Sequence, residues 1–165
     1  MVSFPDSFDP AERGTRARDF FLAGYNCCQA VLLAFADVLE ADGLADADTL
    51  KVLGSGFGGG FARMREVCGS FSACTMLAGF IRPAASPALE ERKANYALVQ
   101  QMAEAFRERN GGSIVCRELL GLQGRAPEGP QPSARTADFY RKRPCAEIIR
   151  RAAEIAAEKM KEAAR

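Results

Sequence analysis

The chain contains no histidine among its 165 residues. It therefore has no imidazole base, no imidazole metal ligand and no cysteine–histidine nucleophile pair. It also has no pair of cysteines separated by two residues, the spacing typical of zinc ribbons and thioredoxin-like sites. Any soft-metal or redox chemistry must therefore depend on cysteine thiols in some other arrangement.

The chain also lacks an excess of charge and a long apolar run. Its 22 basic and 21 acidic residues give a net charge of +1, so no global field attracts nucleic acid or anionic lipid. No stretch approaches the 18 or so apolar residues of a membrane span. The first ten residues, MVSFPDSFDP, contain early acid and proline and no apolar core, so we expect no secretory signal. These features predict a cytoplasmic protein with reduced thiols.

What the chain does contain is helical periodicity, and no segment alternates with the period of two that is typical of strands. The length and the pattern predict one all-α domain, residues 1–165, built as a bundle of about five or six helices. Residues 122–135 are rich in proline and glycine and predict an irregular loop. Capping residues and glycines place helical segments from Asp9 to Gly24, from Asn26 to Gly43, over 48–53, over 68–80, from Ser86 to Asn110, from Ser113 to Gly121, and from Pro144 onward.

The helix that follows Ser86 is the longest of the predicted set. Its predicted apolar stripe, which we expect to face the core, consists of Leu89, Tyr96, Val99, Ala103 and Phe106.

Six cysteines are distributed along this helical pattern. Four of them fall at or near the start of a predicted helix, where free N–H groups and the helix dipole stabilise a thiolate and lower its pKa. The other two, Cys28 and Cys74, are better interpreted as small buried hydrophobes. Because the first four are far apart in sequence, only the tertiary structure could assemble them into one site. They are Cys27, Cys68, Cys116 and Cys145.

A glycine-rich segment, residues 54–60, matches the pattern G-x-G-x-x-G. A dinucleotide-binding fingerprint needs a strand before it and a helix directly after it, and the sequence predicts neither. The remaining interpretations are a tight loop or an anion-binding nest helped by Arg63 and Arg65. We predict that Gly56, Gly58 and Gly59 bind a cofactor beside the cysteine site. The basic run 141–143 predicts a solvated surface.

Several of these motifs together resemble one known family. They are GYNC-x-QAV at 24–31, GFGGG at 56–60, Cys68-Gly69, C-x-ELLG at 116–121 and the late Cys145. In this order they are similar to the C_GCAxxG_C_C family, described as redox-active proteins with four characteristic cysteines. The resemblance implies a small helical redox-associated protein whose family cysteines are Cys27, Cys68, Cys116 and Cys145, and it implies no substrate. Ser70 and Ala73 depart from the family's alanine and glycine.

The leading functional hypothesis is that the four cysteines bind an iron–sulfur cluster or zinc for electron transfer or redox sensing. The alternatives are thiol–disulfide exchange without metal, and a structural or partner-binding helical domain. A redox partner and self-association are left open, as is whether the protein is an enzyme. Neither nucleic acid nor a membrane is an expected partner.

Overall fold

The computed structural model describes residues 8–165, and regular secondary structure in that range is helical apart from an isolated bridge between Val67 and Val115. The all-α prediction is thus confirmed for these residues, but the number of helices is wrong: the range holds nine α-helices and one short 3₁₀ turn, 55–57. The helices are α1 (Pro10–Leu22), α2 (Cys27–Leu33), α3 (Ala36–Ala41), α4 (Ala47–Gly54), α5 (Gly69–Ile81), α6 (Leu89–Arg109), α7 (Cys116–Leu119), α8 (Ala137–Lys142) and α9 (Cys145–Ala163).

Two earlier predictions about the whole chain are not settled by these residues. The single domain over 1–165 stays a prediction. The expected absence of a secretory signal rests on the first ten residues, of which 1–7 lie outside the described range. Between residues 8 and 165, no helix combines the length and the apolar character that crossing a bilayer requires.

The helix starts near the cysteines follow from local capping. The Asp9 side chain accepts a hydrogen bond from the Ala11 N–H at the start of α1. Asn26 and Gln29 form a reciprocal capping box, in which each side chain accepts from the other residue's backbone N–H. This box fixes Cys27 as the first residue of α2, as the sequence predicted.

The extra helices arise at two places. The helix predicted from Asn26 to Gly43 is broken into α2 and α3 at Phe35, whose φ of −117° and ψ of 5° leave the helical region. The break accompanies full burial of the Phe35 ring in the core. Helix α8 was not predicted, although Thr136 caps it by accepting from the Phe139 N–H. Its six residues follow a proline-rich loop and are too few to show clear periodicity.

The predicted apolar stripe of α6 is only partly correct. Ala103 and Phe106 are buried, whereas Leu89 and Tyr96 are 74% and 58% exposed. Asn95 donates to two carbonyls at the carboxyl-terminal end of α5, so the turns of α6 before Asn95 extend past that helix. Residues 89–94, Leu89 among them, are accordingly all exposed.

Helix α9 lies at the centre of the packing and contacts α1, α2, α5 and α6. Its buried face includes Ile149, Ala152 and Ala156. Small residues on α5, among them Ala73 and Cys74, allow α5 to approach α9 closely, and the Cys74 thiol donates to the Ala152 carbonyl. This packing positions the amino-terminal ends of α2, α5, α7 and α9 around a common cavity.

Candidate functional site

Four thiols lie on the wall of one cavity of about 340 Å³. Cys27, Cys116 and Cys145 are the first residues of α2, α7 and α9, and Cys68 is the N-cap of α5. The helix-start positions are those that the sequence analysis expected. At α7, however, the N–H groups of Cys116 and Arg117 donate to the Glu66 and Arg65 carbonyls, so they are not free to stabilise a thiolate. Cys68 and Cys116 are buried, while Cys27 and Cys145 are partly exposed.

Cys27 is the thiol that this environment ionises. The Cys68 thiol donates a hydrogen bond to the Cys27 sulfur, and the backbone N–H groups of Gly59, Cys28 and Gly69 also donate to it. These donors outweigh the cost of burying a charge and lower the pKa of Cys27 from 9.0 to about 6. Cys27 is therefore mostly a thiolate at neutral pH.

Cys68 takes the complementary role. Because it donates its proton to Cys27 and is buried, its pKa is raised well above the ordinary value. The Ser70 hydroxyl acts in the opposite direction and lowers that pKa in part. Ser70 is fully buried, and its Oγ has no oxygen or nitrogen partner within hydrogen-bonding distance in residues 8–165. The pair thus rests as one thiolate, Cys27, and one thiol, Cys68.

The prediction that a helix start lowers the pKa is wrong for the remaining two cavity thiols, which are protonated at neutral pH because burial outweighs the helix-start effect. Burial raises the pKa of Cys116, although the Arg65 guanidinium, 3.7 Å from its sulfur, opposes this. Burial also raises the pKa of Cys145 to about 12. The two other cysteines behave as the sequence analysis expected: Cys28 and Cys74 are fully buried in the apolar core, and burial raises both pKa values.

The backbone that follows the glycine-rich segment is left-handed. From Gly59 to Arg63, five consecutive residues have φ between 48° and 68°. Side chains disfavour this region by roughly 1–2 kcal/mol per residue, and Phe61 and Ala62 are among those that adopt it. Hydrogen bonds from the Arg65 and Glu66 N–H groups to the Gly59 and Gly60 carbonyls hold the turn. The turn presents the Gly59 N–H to the thiolate, in line with the anion-binding nest that the sequence analysis considered. The left-handed conformation of Phe61, Ala62 and Arg63 was not predicted.

The predicted glycines differ in their relation to the cavity. Gly58 and Gly59 line it, whereas Gly56 does not, and a Cβ at Gly56 would meet no atom within 4 Å. Helix α4 precedes the segment and a left-handed turn follows it, so the strand and helix that a dinucleotide fingerprint needs are not found here. The predicted cofactor-binding role of the three glycines stays a prediction.

Two other glycines, which the sequence analysis did not single out for this reason, leave room for the cysteines. A Cβ at Gly69 would lie 2.5 Å from the Cys27 sulfur, and a Cβ at Gly60 would lie 2.7 Å from the Cys116 Cβ. Both distances are shorter than real Cβ contacts allow. A glycine directly after a helix-capping cysteine was the available signal for Gly69.

Four arginines also line the cavity: Arg63, Arg65, Arg135 and Arg143. The prediction that the basic run 141–143 is a solvated surface is therefore wrong for its last member. Arg143 ends α8, is partly buried, and holds its guanidinium carbon 5.5 Å from the centre of the Phe139 ring. Because α8 itself was not predicted, which of the three basic side chains lines the cavity could not be predicted either.

The loop 122–135 closes one side of the cavity. Arg63 donates to the Gly129 carbonyl and to the Glu128 carboxylate, which Arg65 also binds. These contacts hold the loop against the left-handed turn. The loop is irregular, as predicted, but it forms part of the site.

The predicted metal site requires several ligands at coordination distance. Within residues 8–165, no group of three or more cysteine, aspartate or glutamate side chains is arranged so that it could hold a metal ion. The thiols share a cavity without forming such a group. Zinc or iron–sulfur binding by Cys27, Cys68, Cys116 and Cys145 thus stays a prediction, and no chemical step below passes through a metal.

Comparison with known proteins gives one match. Residues 25–159, most of the chain, match the family model described as "Putative redox-active protein (C_GCAxxG_C_C)", and the matched range contains all four cavity cysteines. No curated protein and no solved structure matches the chain.

Proposed function

The chain belongs to the C_GCAxxG_C_C family, which is described as redox-active, and on that premise we propose that Cys27 and Cys68 are a thiol–disulfide exchange pair. Cys27 is the attacking thiolate and Cys68 is the resolving thiol. The observation that carries the proposal is that Cys27 and Cys68 line one cavity wall and that the residue after Cys68 lies against the Cys27 sulfur, so that a Cβ at Gly69 would lie 2.5 Å from it.

The reaction takes two electrons from the protein. The Cys27 thiolate attacks one sulfur of a substrate disulfide, R–S–S–R, so that this S–S bond breaks, a Cys27–S–S–R bond forms and RS⁻ leaves. Cys68 then loses its proton and attacks the Cys27 sulfur, which releases the second RS⁻. The products are a Cys27–Cys68 disulfide and two thiols, RSH, once each RS⁻ has taken a proton. A thiol-bearing reductant reverses both steps.

The environment of the two sulfurs supports this division of roles. Cys27 is partly exposed at the cavity, whereas Cys68 is 7% exposed, so an incoming disulfide reaches Cys27 first. The N–H groups that stabilise the Cys27 thiolate also make it a good leaving group in the reverse direction, when a reductant thiolate attacks the outer sulfur of the Cys27–S–S–R mixed disulfide. Cys68 becomes reactive only after Cys27 has lost its negative charge, because that charge raises the Cys68 pKa.

The test is to trap the mixed disulfide. Reduced wild-type protein treated with one equivalent of a small disulfide should form the Cys27–Cys68 disulfide, identified by peptide mass spectrometry. Cys68→Ser should stop at the mixed disulfide on Cys27, and Cys27→Ser should react slowly. Cys74→Ser, which removes a buried thiol outside the cavity, is the matched control and should behave as the wild type does. A mixed disulfide that forms first on Cys116 or Cys145 would overturn the assignment.

A second candidate is thiolate ligation of zinc or an iron–sulfur cluster, and the observation that favours it is the presence of four family cysteines on one cavity wall. The two candidates make different demands on Cys145. Ligation requires it, whereas exchange between Cys27 and Cys68 does not. Iron, zinc and sulfide analysis of anaerobically purified protein should show stoichiometric metal, lost in Cys145→Ser and kept in Cys74→Ser, if ligation is correct. Metal-free protein with full exchange activity would exclude it.

A further inference from the structure

The cavity wall carries more positive than negative charge. Among the described residues that line it are four arginines and no aspartate or glutamate. Arg63 and Arg65 share the single Glu128 carboxylate, which lies behind them. Arg135 donates to two backbone carbonyls and stacks on aromatic rings. Even with the Cys27 thiolate counted, the cavity therefore keeps a net positive charge.

Arg143 is the cation with free donors. Within residues 8–165 its guanidinium forms no ion pair and no hydrogen bond, and its contact is with the face of the Phe139 ring. Its charge is close enough to the Cys116 and Cys145 thiols to act on both. A guanidinium offers five N–H donors in a planar fork that matches a carboxylate. Such a group, partly buried in the cavity that Cys27 also lines, is suited to an anionic ligand.

The rest of the wall limits what that ligand can be. Apolar residues such as Leu119, Leu120 and Ile148 supply most of the remaining surface. The volume of about 340 Å³ is at the lower end of the range for small-molecule pockets, about 300–1,000 Å³. The ligand is therefore a small molecule with an apolar part and a negative charge.

Resting on the exchange function above, we propose that the substrate is a small disulfide that carries a carboxylate and that Arg143 binds this carboxylate. The bound carboxylate holds the S–S bond toward Cys27 in the same cavity. The reaction is the exchange written above, and each RS⁻ that leaves retains its carboxylate. Arg143 thus selects among disulfides by charge while the Cys27 and Cys68 sulfurs carry out the exchange.

The test uses three aliphatic disulfides of similar size and different charge: dithiodipropionate, an anion; bis(hydroxyethyl) disulfide, which is neutral; and cystamine, a cation. Second-order rates of reaction at Cys27 are measured by mass spectrometry for the wild type and Arg143→Gln. Arg141→Gln is the matched control, because Arg141 lies in α8 two residues before Arg143, is highly exposed and pairs with Asp138 outside the cavity.

In the wild type, the rates should fall in the order anion, neutral, cation. Arg143→Gln should lower the ratio of the anion's rate to the neutral reagent's rate by about five- to tenfold, as expected for one charge-assisted contact. Arg141→Gln should leave the ratio unchanged, and added salt should reduce the wild-type ratio. An equal fall for all three reagents would show that Arg143 only stabilises a thiolate, and would overturn the proposal.

An unreactive probe distinguishes failure of the anion site from failure of the exchange function. Suberate has the shape of dithiodipropionate with methylene groups in place of both sulfurs, so it can bind without reacting. Titration followed by NMR should show suberate binding to the wild type and to Cys27→Ser, but not to Arg143→Gln. If no disulfide reacts while suberate binds in this pattern, the anion site is correct and the exchange function is wrong. If suberate fails to bind to the wild type, the anion site itself is wrong.

Discussion

Gly69 offers the sharpest test of how the fold activates Cys27. It is the first residue of α5, and a Cβ at this position would lie 2.5 Å from the Cys27 sulfur and 2.6 Å from the Phe57 carbonyl oxygen. The second atom belongs to the backbone, so rotation of a side chain cannot relieve both contacts. Gly69→Ala must therefore move either the thiolate or the start of α5, and in both cases the sulfur loses hydrogen bonds.

The expected change in reactivity follows from the pKa of Cys27 with its donors and without them. Overpacking of this kind costs about 1–3 kcal/mol in free energy of unfolding. If the donors are lost, the Cys27 pKa rises from about 6 toward its ordinary 9.0. The thiolate fraction at pH 7 then falls from about 0.9 to about 0.01, but the more basic thiolate is roughly 20-fold more nucleophilic. The net rate at pH 7 falls only about fourfold, so the pH midpoint is the decisive measurement.

The assay is alkylation of reduced protein by iodoacetamide across pH, with the Cys27 peptide quantified by mass spectrometry. The wild-type midpoint should be near 6, and that of Gly69→Ala should lie well above it. Gly79→Ala is the matched control: it adds the same methyl group to the same helix, where the Cβ meets no atom within 4 Å. It should leave the midpoint unchanged and raise the free energy of unfolding by up to about 1 kcal/mol.

The same depressed pKa makes a linked prediction about stability. The thiolate contribution to folding is fully present above pH 9 and is lost as pH falls through about 6. Gly69→Ala should lose most of this pH-dependent contribution. A folded Gly69→Ala variant that keeps a midpoint near 6, or a Gly79→Ala variant with an equal shift, would refute the reasoning.

The remaining predictions concern other parts of the site. Cys28→Ala and Cys74→Ala should leave the alkylation midpoint of Cys27 unchanged. Each should lower the free energy of unfolding by about 1 kcal/mol. Loss of exchange in either folded variant would show that the reactive cysteines are wrongly assigned. Ser70→Ala should slow closure of the intramolecular disulfide in stopped-flow measurements without changing the first attack, because only the resolving thiol loses a favourable dipole. Gly58→Val should raise the alkylation midpoint of Cys27, since a Cβ at this position would lie 2.8 Å from the side chain of Asn26, which caps α2. Saturable nucleotide binding by the wild type that this change abolishes would revive the dinucleotide interpretation.

Local sequence rules predicted where most helices begin. The Asp9 cap and the Asn26–Gln29 capping box depend on residues within four positions of each other, so their signals are visible in the sequence. The same rules placed Cys27 in the first turn of a helix. The predicted helix boundaries failed where tertiary burial overrode propensity, at Phe35, and where a helix was too short to show a pattern, at α8.

The candidate site was likewise predictable in part from the sequence and decided in part by the tertiary structure. From the sequence came the four cysteines, the two that were set aside and the family resemblance, because each is a matter of residue type and order. The tertiary structure alone decided that Cys27 is the thiolate, that Gly69 must lack a side chain and that Arg143 faces the cavity. A thiol's pKa depends on donors and charges within a few ångströms. Here all of the donors except the Cys28 N–H come from the start of α5 and the left-handed turn, more than 30 residues away in the chain.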